Sequence, residues 1–183
     1  EVLAAGGDCI DAVIATTFAL NVLEPWMSGM GGGGAMVLYR AKEKRTEVID
    51  YGMCAPQSLR LEDYPLTGQG AASDLFPWAR VKDDRNLHGP GSIAVPGVVA
   101  GMEEAHRRHA KLPWKDLVAP AAKIAGEGLL VDWWTTLMIA STAADLRRYP
   151  ASAETFLRDG LPPGAPWGVK SETRLPQPRM QAT

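Results

Sequence analysis

Apolar residues fall on nearly every face of the stretch Cys9–Leu23, at Ile10, Val13, Ile14, Phe18, Ala19, Val22 and Leu23. A helix patterned in this way is buried in an interior. Asp8 stands before it as an N-cap, Asp11 adds negative charge to its first turn, and Pro25 ends it. Residues 1–5 read as the end of an earlier helix, stopped by Gly6-Gly7. Strand-like patterning then takes over. Residues 35–40 and 45–51 predict a β-hairpin around the charged turn Lys42-Glu43-Lys44. Its first strand is apolar on both faces, as in the centre of a covered sheet.

Residues 61–91 form a long, turn-rich loop excursion in which Phe76-Pro77-Trp78 is expected to pack over something rather than face water. Residues 92–95 are a short apolar strand closed by Pro96-Gly97. The helix that follows has Val98, Met102 and Ala105 on one face and Glu103, Glu104, Arg107 and Arg108 on the other. Leu112-Pro113-Trp114 opens a short helical turn. Pro120 then suits the first position of a further helix, with Gly128 just past its end. Asp132 caps a longer helix running to Arg147-Arg148, and Pro150 blocks its continuation. Proline, glycine and charge make residues 160–178 loop, and the chain has no internal repeats. The pattern is α/β, with helices over a largely antiparallel sheet, and residues 1–183 read as a single partial domain.

One passage breaks the rhythm. From Gly29 to Gly34 only Met30 carries a side chain, with Trp26-Met27 before the run and Met36-Val37-Leu38-Tyr39 after it. Such flanks do not belong to a flexible linker. The glycines therefore predict a tight passage where backbone lies against backbone or ligand and a Cβ has no room.

Composition narrows the function classes. With 46% hydrophobic and 22% charged residues over 183 positions, the chain reads as an ordinary soluble globular protein. A net charge of −2 gives no electrostatic case for nucleic acid or an anionic membrane, and no apolar run is long enough to span a bilayer. Cys9 and Cys54 have no metal spacing and read as buried free thiols, which slightly favours a cytoplasmic setting. The chain opens at Glu1-Val2-Leu3, already helical in pattern and without Met, so a preceding segment is expected.

Familiar chemistries mostly fail on spacing. A phosphate-binding loop needs Lys-Ser/Thr after its last glycine and then a helix, whereas Gly34 leads into strand-like Ala35-Met36-Val37. Met27-Ser28-Gly29 is not a G-x-S-x-G elbow. His106 and His109 flank two arginines and read as a solvated basic face, and His88 is a lone base in a loop. Asp83-Asp84 and Glu103-Glu104 read as surface charge. No metal or cofactor is expected.

Several blocks in order carry a resemblance: Gly6-Gly7-Asp8-Cys9-Ile10-Asp11-Ala12, then Glu24-Pro25 with Ser28 and the glycine run, Ile49-Asp50-Tyr51-Gly52-Met53-Cys54-Ala55-Pro56, Val95-Pro96-Gly97-Val98-Val99-Ala100-Gly101, and Leu112-Pro113-Trp114 with Pro120-Ala121, Ala125 and Gly128. Together they resemble the γ-glutamyltranspeptidase family across nearly the whole chain. The resemblance implies the N-terminal nucleophile hydrolase fold, a four-layer α-β-β-α sandwich, incomplete in this chain. It also implies a precursor that cuts itself into two subunits, of which this chain resembles the first half of the large one. The nucleophile would be a threonine at the start of a separate small subunit. Thr135, Thr136 and Thr183 do not fit that role, so the chain is expected to be inactive alone.

By the same resemblance Tyr51, Gly52 and Met53 are the substrate-binding candidates, with no catalytic residue in this chain. True transpeptidases carry arginine at the place of Gly52, where it pairs with the α-carboxylate of a γ-glutamyl donor. The Gly-Met version is more similar to the acylase branch, of cephalosporin-acylase type. Arg60, Arg80 and Arg85 are other possible sources of charge. The implied partners are the small subunit and a small-molecule amide or γ-glutamyl substrate. A reading of another class is a catalytically inactive homologue that serves as a binding or structural domain.

Overall fold

The computed structural model describes residues 1–71, 78–164 and 172–183. Phe76 and Pro77 of the expected aromatic cluster lie outside them. In chain order the elements are helix α1 (Cys9–Leu23), strands β1 (Gly34–Arg40) and β2 (Arg45–Tyr51), strands β3 (Leu66–Ala71) and β4 (Ala79–Val81), helices α2 (Val98–His109) and α3 (Trp114–Glu127), strand β5 (Leu129–Leu130), helices α4 (Trp133–Leu146) and α5 (Pro150–Phe156), strand β6 (Arg174–Leu175) and helix α6 (Pro178–Ala182). They fall into two compact units, residues 1–30 with 100–183, and residues 31–99.

The first unit is built on α1. Asp8 accepts a hydrogen bond from the Ile10 N–H at 2.8 Å, and Asp11 reaches back to the Asp8 N–H at 2.8 Å, a reciprocal capping box. Ile10, Ile14, Phe18 and Val22, four apart, form its buried stripe. Val13, Leu20 and Leu23 are exposed, so within this chain only one face is covered, not nearly all of them. Phe18 meets Trp114 edge to face with ring centroids 5.4 Å apart.

Helix α3 packs on α1 through buried Leu117, Ala121 and Ala125. Pro120 lies inside α3 rather than at its start. It removes one intrahelical hydrogen bond, and burial of the neighbouring apolar positions carries the helix across that gap. Gly128 ends α3 at φ 93°, where an added Cβ would stand 2.6 Å from the Pro176 nitrogen. The close approach lets β5 pair antiparallel with β6, Leu129 opposite Leu175. Just beyond, the buried Gln177 side chain donates to Val22 O at 3.1 Å and its N–H to Ala125 O at 2.8 Å. The stretch 160–178, expected as loop, thus contains a strand that ties it to α3. Residues 165–171 lie outside the description.

Asp132 caps α4 through the Thr135 N–H at 2.7 Å, a bond that holds its carboxyl below the ordinary value against the opposing effect of burial. Helix α4 stops at Leu146, and Pro150 does more than block it: it opens α5 from the first turn, where its missing N–H costs nothing. Leu129, Val131, Ile139, Ala143, Leu157 and Leu175 close a second core, flanked by Trp26 and Phe156.

In the second unit β1 and β2 pair antiparallel in unbroken register, from Gly34 opposite Tyr51 to Arg40 opposite Arg45. Met36, Leu38 and Ile49 are buried, while Val37, Tyr39 and Val48 are exposed. The doubly covered strand expected from its sequence is therefore covered on one face in this chain. Within 61–91, β3 and β4 form a second antiparallel pair. The expected strand at 92–95 reduces to a single bridge, Cys54 to Val95. Both cysteines are free and exposed, which corrects their reading as buried thiols. No helix of the described residues is long and apolar enough to cross a membrane.

Candidate functional site

Three of the five glycine-containing blocks of the sequence, those with the glycine run, Gly52 and Gly97, converge around the end of β2. Gly32 O accepts hydrogen bonds from the Gly97 N–H at 2.9 Å and the Val98 N–H at 3.1 Å, which joins the glycine run to the start of α2. Cys54 and Val95 exchange backbone hydrogen bonds of 3.3 and 2.8 Å. Tyr51, Gly52 and Met53 run between these two ties.

Their confinement explains the glycines. A Cβ on Gly33 would lie 2.6 Å from the Met53 nitrogen and 2.8 Å from Tyr51 O. One on Gly97 would lie 2.0 Å from Tyr51 O and 2.8 Å from its carbonyl carbon. Neither glycine has a positive φ, so it is contact that demands them and not a left-handed turn. The tight passage expected at 29–34 is met at Gly33, where backbone packs on backbone, and at Gly34, which faces the Tyr51 ring, but not at Gly31, where a Cβ would meet nothing within 4 Å.

Gly52 differs. It is exposed, and a Cβ there would meet only the Asp50 Oδ1 at 3.2 Å. Asp50 holds this corner by accepting the Gly52 N–H at 2.9 Å, the local bond of an Asx turn. Met53 is exposed and Tyr51 half-buried. The structure therefore brings all three predicted residues onto one rigid corner, with a side-chain position left open in its middle. Neither Asp50 nor Gly97 stands out in the sequence as a site residue, and Gly33 does so only as one member of the glycine run. The Asp-x-Gly spacing was a readable signal for the first, whereas the glycines gain their meaning only from what lies across from them.

The other candidates take different roles. His106, expected on a solvated face, is half-buried: its Nε2 donates to Leu112 O at 2.8 Å, and its ring stands edge-on to Trp114. Leu112 is gripped from the opposite side as well, because its N–H donates to Asp11 at 3.0 Å and the Lys111 N–H does so at 3.1 Å. Burial raises the Asp11 pKa, but the N–H groups of Asp8, Leu112 and Lys111, helped by the charge on His106, more than offset it and hold the carboxyl below its ordinary value. Asp11 thus serves architecture.

Glu104 takes both Arg107 and Arg108 on the outer face of α2. His88 lines a polar hollow of about 360 Å³ with Asp63, Tyr64, Arg85, Pro90 and Gly91. Arg80 faces Asp84 at 3.9 Å and Arg85 faces Asp83 at 3.8 Å, and Arg60 precedes a 3₁₀ turn. Thr135 and Thr136 sit in α4 with hydroxyls bonded to Leu130 O at 3.3 Å and to Asp132 O and Pro163 O at 3.0 Å each.

Residues 1–172 match the family described as γ-glutamyltranspeptidase. Over 166 residues the chain is 36% identical to the glutathione hydrolase proenzyme of Bacillus subtilis (strain 168), covering 88% of this chain and 26% of that protein. Over 162 residues it is 35% identical to the acylase ACY 1 proenzyme of Pseudomonas sp. (strain SE83), covering 88% and 28%. The solved γ-glutamyltranspeptidase of Pseudomonas nitroreducens superposes with a TM-score of 0.77 at 27% identity, covering 100% of this chain and 48% of that one. The chain spans about a quarter of the length of the curated relatives it matches. By its blocks, its mixed α/β build and these matches, the chain belongs to the γ-glutamyltranspeptidase family.

Proposed function

We propose that this chain supplies one wall of an amide-cleaving site in an enzyme of the N-terminal nucleophile hydrolase type, with a four-layer α-β-β-α sandwich of which residues 1–183 form part of one domain. The reactive group is a threonine heading a second subunit cut from the same precursor. Its α-amine, titrating near about 8, takes the proton from the hydroxyl as the oxygen attacks the amide carbonyl. Backbone N–H groups stabilise the oxyanion, the amine leaves with a proton, and water or an acceptor amine releases the acyl group from the threonine oxygen.

The observation that carries this reading is the corner at Tyr51-Gly52-Met53: pinned by Gly33 and Gly97, yet open to solvent at Gly52. Rigid backbone beneath an exposed position suits a residue that addresses a substrate. The same observation favours the acylase branch. No guanidinium projects from position 52 to pair with a donor α-carboxylate, so the donor is an acyl amide without γ-glutamyl specificity.

Two measurements test the reading. The full-length product, expressed alone, is expected to resolve into two bands on a denaturing gel, and Thr→Ala at the new N-terminus to leave it whole; an uncut, inactive wild type would favour a binding or structural domain instead. The second is Gly52→Arg. The position has no positive φ, and a Cβ there would meet only the Asp50 carboxylate, at 3.2 Å, so the variant should fold. A charge-assisted bidentate pair is worth about 1.5–3 kcal/mol, so γ-glutamyl anilide turnover (kcat/KM) should rise about tenfold or more. A folded, processed variant with no gain would refute the role given to position 52.

A further inference from the structure

Beside the open position lies an apolar shelf. Cys54 and Val95 are directly paired, which puts their side chains on the same side of the two segments. Ile93, two residues before Val95, has extended backbone angles. Gly52 lies two residues before Cys54, whose Sγ donates to the Gly52 carbonyl oxygen at 3.8 Å. Val95 is 51% and Ile93 64% exposed, and Cys54 is exposed too, behaving as a small hydrophobe.

Along the chain beside the shelf, charge has one sign as far as Arg60. From Thr46 to Leu59 the sequence contains no Lys or Arg, and its charged residues are Glu47 and Asp50. Glu47 pairs with Arg45, but Asp50 is exposed beside Gly52. Arg80 and Arg85 carry their own counter-charges in Asp84 and Asp83. A donor with a terminal carboxylate would therefore meet the Asp50 carboxylate beside Gly52, while an alkyl or aryl chain would cover Ile93, Cys54 and Val95.

Resting on the amide-cleaving reading above, we infer that the acyl group accepted here is uncharged and apolar, lying along Ile93, Cys54 and Val95, and that γ-glutamyl and glutaryl groups are both poor donors.

The test uses the full-length, self-processed protein and a series of anilides: acetyl, butanoyl, hexanoyl, phenylacetyl, glutaryl and γ-glutamyl. Each added methylene from acetyl to hexanoyl is expected to raise kcat/KM roughly fourfold, the gain of burying one such group. Hexanoyl should exceed glutaryl by about tenfold or more. Val95→Lys, at a half-exposed position, should reverse the order in favour of glutaryl. Preference of the wild type for glutaryl or γ-glutamyl would overturn the inference while leaving the amide-cleaving reading intact. Equal turnover of acetyl and hexanoyl would mean that another polypeptide covers the shelf, which also overturns it. An unprocessed precursor inert toward every anilide would instead overturn the amide-cleaving reading, and this inference with it.

Discussion

Replacing Asp11 with alanine is expected to destabilise the protein by about 3–5 kcal/mol, the range for breaking a buried charged hydrogen-bond network. Three backbone N–H groups, of Asp8, Lys111 and Leu112, converge on this one buried carboxylate. Alanine would leave all three unpaired, and the turn before α3 would lose its anchor to the first turn of α1. Asn retains one acceptor oxygen but turns an amide N–H toward a donor, so it should recover only part of the loss. Urea unfolding of the variants beside the wild type measures this directly.

The same site makes a pH dependence. The folded pKa of Asp11 lies below its ordinary 3.8, so the carboxylate's contribution is complete above that value and is lost as pH falls through the lower, folded one. The stability gap between wild type and Asp11→Ala should therefore be constant near neutrality and shrink in strong acid. A gap of the same size below the folded pKa would show that Asp11 acts through packing rather than charge.

Gly97→Ala is the second large effect. The new methyl carbon would overlap the Tyr51 carbonyl, and no side-chain rotation relieves a clash between backbones. Either the hydrogen bonds from Gly97 and Val98 to Gly32 break, or Tyr51 and Gly52 move. Overpacking of this kind costs about 3 kcal/mol or more. Under the proposed function, displacing the corner by 1 Å would cost on the order of 100-fold in turnover. Gly31→Ala is the control: a Cβ there meets nothing within 4 Å, so stability should stay within about 0.5 kcal/mol. If both alanines behaved alike, the close approach of the three segments would be wrong.

What local chemistry dictates was legible before any fold was known. Asp8 and Asp132 cap their helices, Gly128 ends α3, and the charged turn at 42–44 joins two strands, because each depends on a few adjacent residues and the backbone groups beside them. The ordered blocks carried the family for the same reason: they are short, dense and contiguous. The four-glycine run also declared its purpose, since glycine with large apolar flanks has few uses other than a close approach.

Other features depend on partners far away in the chain, and no local pattern contains them. Asp11 could be read as a first-turn charge, yet two of its three N–H partners lie 100 and 101 residues later. His106 resembled surface charge until a carbonyl and a tryptophan ring closed on it. Pro120 sits in mid-helix because packing on α1 outweighs a propensity that the sequence alone would obey. The strand pairing in 61–91 and at Arg174–Leu175 has no signature in the sequence, because Gly68 and Gly70 break the pattern of β3 and the three residues of β4 and two of β6 carry too little periodicity to declare a strand. The sequence by itself determined the caps of α1 and α4, the end of α3, the hairpin and the family. Only the tertiary structure decided that Gly33 and Gly97 hold Tyr51-Gly52-Met53 in place, because a steric constraint between backbones exists only once distant segments are brought to the same point.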